Sequence, residues 1–584
     1  MKVRSRRNFP ATLACVLGLA GPAACGGDDV ETTASGTEGT ESTDSEGSES
    51  SDTAGSDTDT DAETDTDGEP VFNPVTGRLR RLTASQYSAT IRYLLGADAA
   101  AAVRASGLPY DQPLHDFEAI GNAELSLSLS SIEDYEKAAT AAADAAIADL
   151  STLADHVPCV VDGPQDASCY RSIAEDFGYV AWRRPLTEEE VDTIRSIGES
   201  AQAWGEDDFL TGVKYELMAL LQAPSFLYMV EVGAPDEDRP ELQRLTGAEL
   251  ATRLSFFLLG RGPSRALLDY AVQGGLDSTT GIRQKALDML QNAEARQAIA
   301  VYYDELLHLR DLSGIGKSPQ EYPQFTSELA ASMREEMLRM VEDLVFEQDA
   351  DIRELFLANY TYVDDALAGH YGVPAPPMGG WQKTAWPTEH GRAGFLGSAA
   401  FLTRFAHAVD TSPTRRGNFI NAKFLCAEVA APPPNVDPTL PAVDPDNPVT
   451  MKERLKQHME DPSCAECHKY MDPIGFALEN FDAIGLYRTQ DLNGLPIDST
   501  GEVEGLGAFA SAKEIGLALK EDERVPACFV SNMVSGSMGH KRTSGEKDVL
   551  AEVEAAFVES NFSLQTLIVE LVASDAFRYV AKPE

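Results

Sequence analysis

The chain has 584 residues and carries 94 Asp and Glu against 47 Lys and Arg, a formal charge of −47. A phosphate backbone would be repelled almost everywhere on such a protein, so nucleic-acid binding is excluded as a general function. The length allows several domains, and a hydrophobic content of 43% is enough to fill their cores.

The first element reads as an export signal. Lys2, Arg4, Arg6 and Arg7 precede the apolar run Phe9 to Ala20 and the small residues Gly21-Pro22-Ala23-Ala24-Cys25. That is the order of a secretory signal, expected over residues 1–25, and its apolar run is too short to span a bilayer. Ala23-Ala24-Cys25-Gly26 resembles a bacterial lipobox, which would make Cys25 the acylated first residue of the mature protein, with plain secretion as the alternative. The expected location is the cell envelope, as a periplasmic or outer-membrane surface lipoprotein that meets membrane only through its N-terminal lipid. Residues 26–76 follow as a Ser/Thr/Asp/Glu-rich stalk, in which 26–69 hold 16 acidic and no basic residues. Such a tract cannot bury a core and repels itself, so it is expected to be extended and disordered.

From residue 77 on, helix signals dominate. Thr83 stands three residues before Gln86, and Tyr87, Ile91, Leu94 and Leu95 then repeat at helical spacing before Gly96. Thr187 with Glu190 and Thr246 with Glu249 repeat the same capping pattern ahead of amphipathic runs. Ala138 to Ala148 and Glu328 to Glu347 read as further helices, and nothing alternates for long enough to build a large sheet. The fold class is therefore mainly α: a multi-module helical protein behind a disordered acidic N-terminal stalk. Its modules are expected at 77–135, 136–233, 240–375, 388–490 and 500–580. Pro432-Pro433-Pro434 is expected to form a stiff polyproline linker.

Six cysteines lie beyond the signal, in a compartment where disulfides persist. Cys159 and Cys169 flank a polar loop and are expected to pair locally; Cys426 and Cys528 are the remaining candidate pair. Between them stands Cys464-Ala465-Glu466-Cys467-His468. In an exported protein, C-x-x-C-H reads as covalent haem c attachment, with both thiols forming thioethers and His468 as proximal iron ligand. A dithiol site, a zinc site and a plain Cys464–Cys467 bridge are the alternatives. The distal ligand has three candidates, Met533, Met538 and His540, because Met471 would lie on the same side of the ring as His468. Asp472-Pro473 is expected to break or redirect the helix after the motif. Arg488, Arg415 and Arg416 are the expected propionate partners, whereas Glu479 and Asp482 read as structural.

Several of these segments together resemble the planctomycete-type family of secreted multi-module cytochrome-like proteins. They are Arg81 to Gly96, FGYVAWRRPLT at 177–187, LTGAELATRLSFFLL at 245–259, NYTYVDDALAGHYG at 359–372, Gly391 to Gly417, Leu425-Cys426 and CAECHKYMDPIGFALENFDAIGLYR at 464–488. The resemblance implies a periplasmic or surface c-type cytochrome-like protein and supplies no substrate. The leading function is thus a redox protein with one covalent haem, in envelope electron transfer or an oxidative step on an extracellular substrate. Its unknown redox partner is expected to be cationic, given the acidic body. The alternative is a surface-anchored polymer-binding or interaction protein in which Cys464–Cys467 is a structural disulfide and Trp381 and Trp386 serve sugar stacking. A hydrolase ranks third, with His407 near Asp410 its only suggestive pair.

Overall fold

The structure, a computed structural model, describes residues 72–427, 444, 446–460 and 462–582. The expected signal peptide, Cys25, the stalk up to residue 71 and the Pro432-Pro433-Pro434 linker lie outside the described residues. Within them the protein is mainly α, with 26 α-helices and only short strands. None of these helices is long and apolar enough to cross a membrane.

The three capping patterns all form. Thr83, Thr187 and Thr246 each accept from the backbone N–H three residues on, and the Gln or Glu there accepts from the cap's own N–H, at 3.0, 2.8 and 2.8 Å. They open the helices Ala84–Leu95, Glu188–Trp204 and Gly247–Leu259. Gly96 and Gly260 stop the first and third at positive φ, where a side chain would strain the backbone. The alanine-rich stretch lies in Leu129–Ala148, whose buried stripe includes Ala138, Ala139, Ala142, Ala143 and Ala146. Small side chains on that face let Ala97–Ser106 and Phe209–Gln222 pack against it.

The strands act as clasps between distant segments. Arg78–Arg81 pairs antiparallel with Tyr228–Glu231, Arg78 opposite Glu231. Leu242–Arg244 pairs with Ala234–Pro235 on one side and with the C-terminal strand Tyr579–Ala581 on the other. Thr76 bridges to Ala581, so both ends of the described body meet. One continuous hydrophobic core runs from Tyr87 to Val580 through all of these helices.

Arginines clamp that core. Glu231, 1% exposed, accepts from Arg80 at 3.1 Å and Arg253 at 2.9 Å. Arg253 also donates to the Phe577 carbonyl at 2.7 Å and Arg80 to the Ser537 carbonyl at 2.9 Å. Arg183, in the left-handed region, donates to the carbonyls of Ser225, Phe226 and Tyr228 at 2.7–3.1 Å. Buried guanidinium groups thereby take up carbonyls that short strands and helix ends leave unpaired. The disulfides are Cys159–Cys169 and Cys426–Cys528.

Candidate functional site

Cys464, Cys467 and His468 lie on one helix, Pro462–Phe476. The helix runs through Pro473 instead of breaking at Asp472-Pro473, which corrects the expectation from sequence. Tertiary contacts outweigh the proline. Gly417 and Gly475 let the helix Pro413–Phe424 approach so closely that an added Cβ at Gly417 would strike the Met471 carbonyl, and one at Gly475 the Pro413 carbonyl. Asn421 donates to the Tyr470 carbonyl at 3.0 Å, and Thr414 Oγ1 to Asp472 Oδ1 at 2.7 Å. A proline costs one intrahelical bond in the last turn, and this crossing supplies several others.

Both thiols are half-buried and stay outside the two disulfides. Their three-residue spacing puts them on adjacent positions of one helix face. His468 Nδ1 lies 2.8 Å from Asp472 Oδ2, one turn further on. Asp472 is fully buried and His468 keeps 22% of its side chain exposed. Hydrogen bonding to Asp472 raises the His468 pKa above the ordinary imidazole value. In the neutral ring, Nδ1–H donated to the carboxylate fixes the tautomer whose lone pair is on Nε2, the nitrogen a proximal haem ligand would use. Asp472 was read from sequence only as a helix breaker. Its signal was the i, i+4 spacing from His468 on a continuous helix, hidden by the proline beside it.

The other expected site residues have surroundings and partners of their own. Met533 and Met538 are each 1% exposed and belong to the main core. His540 Nδ1 lies 2.8 Å from the Lys541 carbonyl and Nε2 3.6 Å from Glu546, and burial lowers its pKa to about 4. Arg416 is fully buried and donates to the carbonyls of Leu402, Leu478, Phe481 and Asp482 at 2.9–3.2 Å, so it braces the segment after the motif and is not available to a propionate. Arg488 turns to Glu479, donating to its carbonyl at 3.2 Å. Arg415 is exposed and has no ion pair among the described residues, so of the three it stays available to an anion. Glu479 accepts from Thr411 at 2.9 Å, and Asp482 caps the turn by accepting from the N–H groups of Ile484 and Leu486 at 2.9 and 2.8 Å. Both are structural, as read from sequence.

His407 meets Asp410 through the backbone, its N–H donating to the Asp410 carbonyl at 2.8 Å. Trp386 is buried edge-on against Tyr371 at 4.9 Å and Trp381 packs on the core under Arg339, so neither offers an open stacking face. Among the described residues, no three His, Cys, Asp or Glu side chains are gathered as a metal ion requires.

Five family models match in chain order, each described as a protein of unknown function: DUF1587 at 80–148, DUF1595 at 169–231, DUF1592 at 245–373, DUF1588 at 392–491 and DUF1585 at 507–577. The match at 392–491 contains Cys464, Cys467, His468 and Asp472 together with the bracing Arg416. No curated protein and no solved structure matches the chain. The clasped helical body is therefore a multi-module protein built from five planctomycete-type domains of unknown function.

Proposed function

We propose that the protein is an exported c-type cytochrome-like protein that binds one haem covalently through Cys464 and Cys467, with His468 as proximal ligand. It would serve envelope electron transfer or an oxidative step on an extracellular substrate, held at the membrane by a lipid on Cys25. The observation that carries the reading is the C-x-x-C-H sequence on a helix whose histidine is held by a buried carboxylate at 2.8 Å. The donor set fits: two thiols outside the disulfides for thioethers, an adjacent imidazole, and a carboxylate that fixes its tautomer. The name PSCyt3, carried by the family model over this segment, agrees. When bound, haem supplies one-electron redox chemistry. The protein's part is to hold the imidazole in one orientation, with Thr414 and Asp472 locking Nδ1 and the glycine crossing fixing the helix.

The test is a peptide mass measurement on protein co-expressed with a cytochrome maturation system. The fragment containing residues 464–468 is expected to carry one haem, and Cys464→Ala with Cys467→Ala to carry none. An unmodified fragment, or one with the two cysteines disulfide-bonded, would favour the interaction-protein alternative.

Asp472→Asn is a further prediction. Where loss of an outer-shell carboxylate weighs tenfold more on one oxidation state than on the other, the potential moves by about 60 mV for one electron. The carboxylate favours the more positive oxidation state, so the variant's reduction potential should rise by that amount. A spectroelectrochemical titration giving the parent's potential would show that Asp472 has no such influence.

A further inference from the structure

A cavity of about 870 Å³ opens far along the sequence from the Cys464 helix, walled by three of the matched segments. Its sides are the helices Ala84–Leu95, Ala97–Ser106, Gly247–Leu259, Ala293–Leu306 and Arg524–Met538. Its size lies within the range of small-molecule sites.

Its charge runs against the rest of the molecule. Acidic residues outnumber basic ones two to one, 94 to 47, so an arginine here has carboxylates in abundance. Arg92 and Arg104 nevertheless line this cavity, both exposed, with no ion pair among the described residues. Arg104 is oriented by Ser88, to which it donates at 3.1 Å. The carboxylates of the wall are already committed. Glu294 takes Arg261 in a two-pronged pair at 2.8 and 2.7 Å, and Glu305 accepts from Arg310 at 3.1 Å. Arg261 also stacks on the Tyr93 ring at 4.0 Å, which makes that wall rigid. The cavity therefore presents two uncompensated guanidinium groups to whatever enters. Ser85 and Gln297 add exposed polar groups, and Ala89, Leu108 and Phe257 an apolar floor.

We infer that this cavity binds a short acidic saccharide, its carboxylates meeting Arg92 and Arg104. A carboxylate suits the fork of an arginine, hydroxyl groups suit Ser85 and Gln297, and the apolar face of a sugar ring suits the floor. The volume exceeds what a single small anion needs. The inference is independent of the haem reading, since no residue is shared between the two sites.

Calorimetry on the purified full chain with digalacturonate tests it, with lactose as the neutral disaccharide and adipate as the carboxylate without a sugar. Digalacturonate should bind, lactose should not, and adipate should bind at least tenfold more weakly. Arg92→Ala and Arg104→Ala should each weaken digalacturonate about tenfold, since a hydrogen bond to a charged group is worth at least that. Both side chains are exposed, so the melting temperature should not change. Equal binding of adipate would overturn the saccharide class. Absence of digalacturonate binding, or full binding by both arginine variants, would overturn the site.

Discussion

Replacing Cys426 and Cys528 together by serine is expected to destabilise the folded body by about 4.7 kcal/mol, the loop-closure value for a crosslink spanning about 100 residues. The bridge has a sequence separation of 102 and encloses the whole Cys464 to His468 segment. In the unfolded chain it removes the freedom of that entire loop. In the folded one it ties the end of the Pro413–Phe424 helix to Arg524–Met538, where Asn532 donates to the Lys423 carbonyl at 2.7 Å. The Cys159–Cys169 bridge has a separation of only 10, and its removal should cost about 2.8 kcal/mol by the same relation. Urea unfolding followed by circular dichroism measures both. Equal midpoints for the two double variants would contradict the loop-closure account.

Glu231→Gln should cost about 3–5 kcal/mol, because removing one member of a buried ionic cluster leaves the others without compensation. Arg80 and Arg253 are both 3% exposed and both point at this carboxylate. Burial pushes the Glu231 carboxyl up, but Arg253 and Arg80 more than reverse this and hold it at about 2. A carboxyl depressed in the folded state contributes fully above its ordinary value of 4.5, and that contribution drains away as the pH falls from there through about 2. The parent should therefore lose stability in that acid window more steeply than the variant, whose amide does not titrate. Urea midpoints at pH 7 and pH 3 read both effects. A variant within about 1 kcal/mol of the parent at pH 7 would sink the claim that this knot holds the segments together.

The helical architecture was legible because its signals are local. A threonine and a Gln or Glu three residues on determine a helix start by themselves, and all three such pairs formed. The roles of the motif arginines were not legible, because their partners are carbonyls brought in from elsewhere. Arg416 looked like an anion binder and proved to brace carbonyls up to 66 positions away. Pro473 looked like a break, since nothing near it in sequence reveals Gly417 and the helix crossing that holds the turn. At the candidate site, Cys464, Cys467 and His468 are read from spacing alone, whereas the contact of Asp472 with His468 shows only in a helix that continues past it.

The central claim, covalent haem at Cys464 and Cys467, is most directly tested by a pyridine haemochrome spectrum of the full chain after co-expression with a cytochrome maturation system. The expected result is an α band at the position of a haem with two saturated thioether links, one haem per chain, retained through acid–acetone extraction. A colourless protein, or haem that the extraction removes, would contradict it.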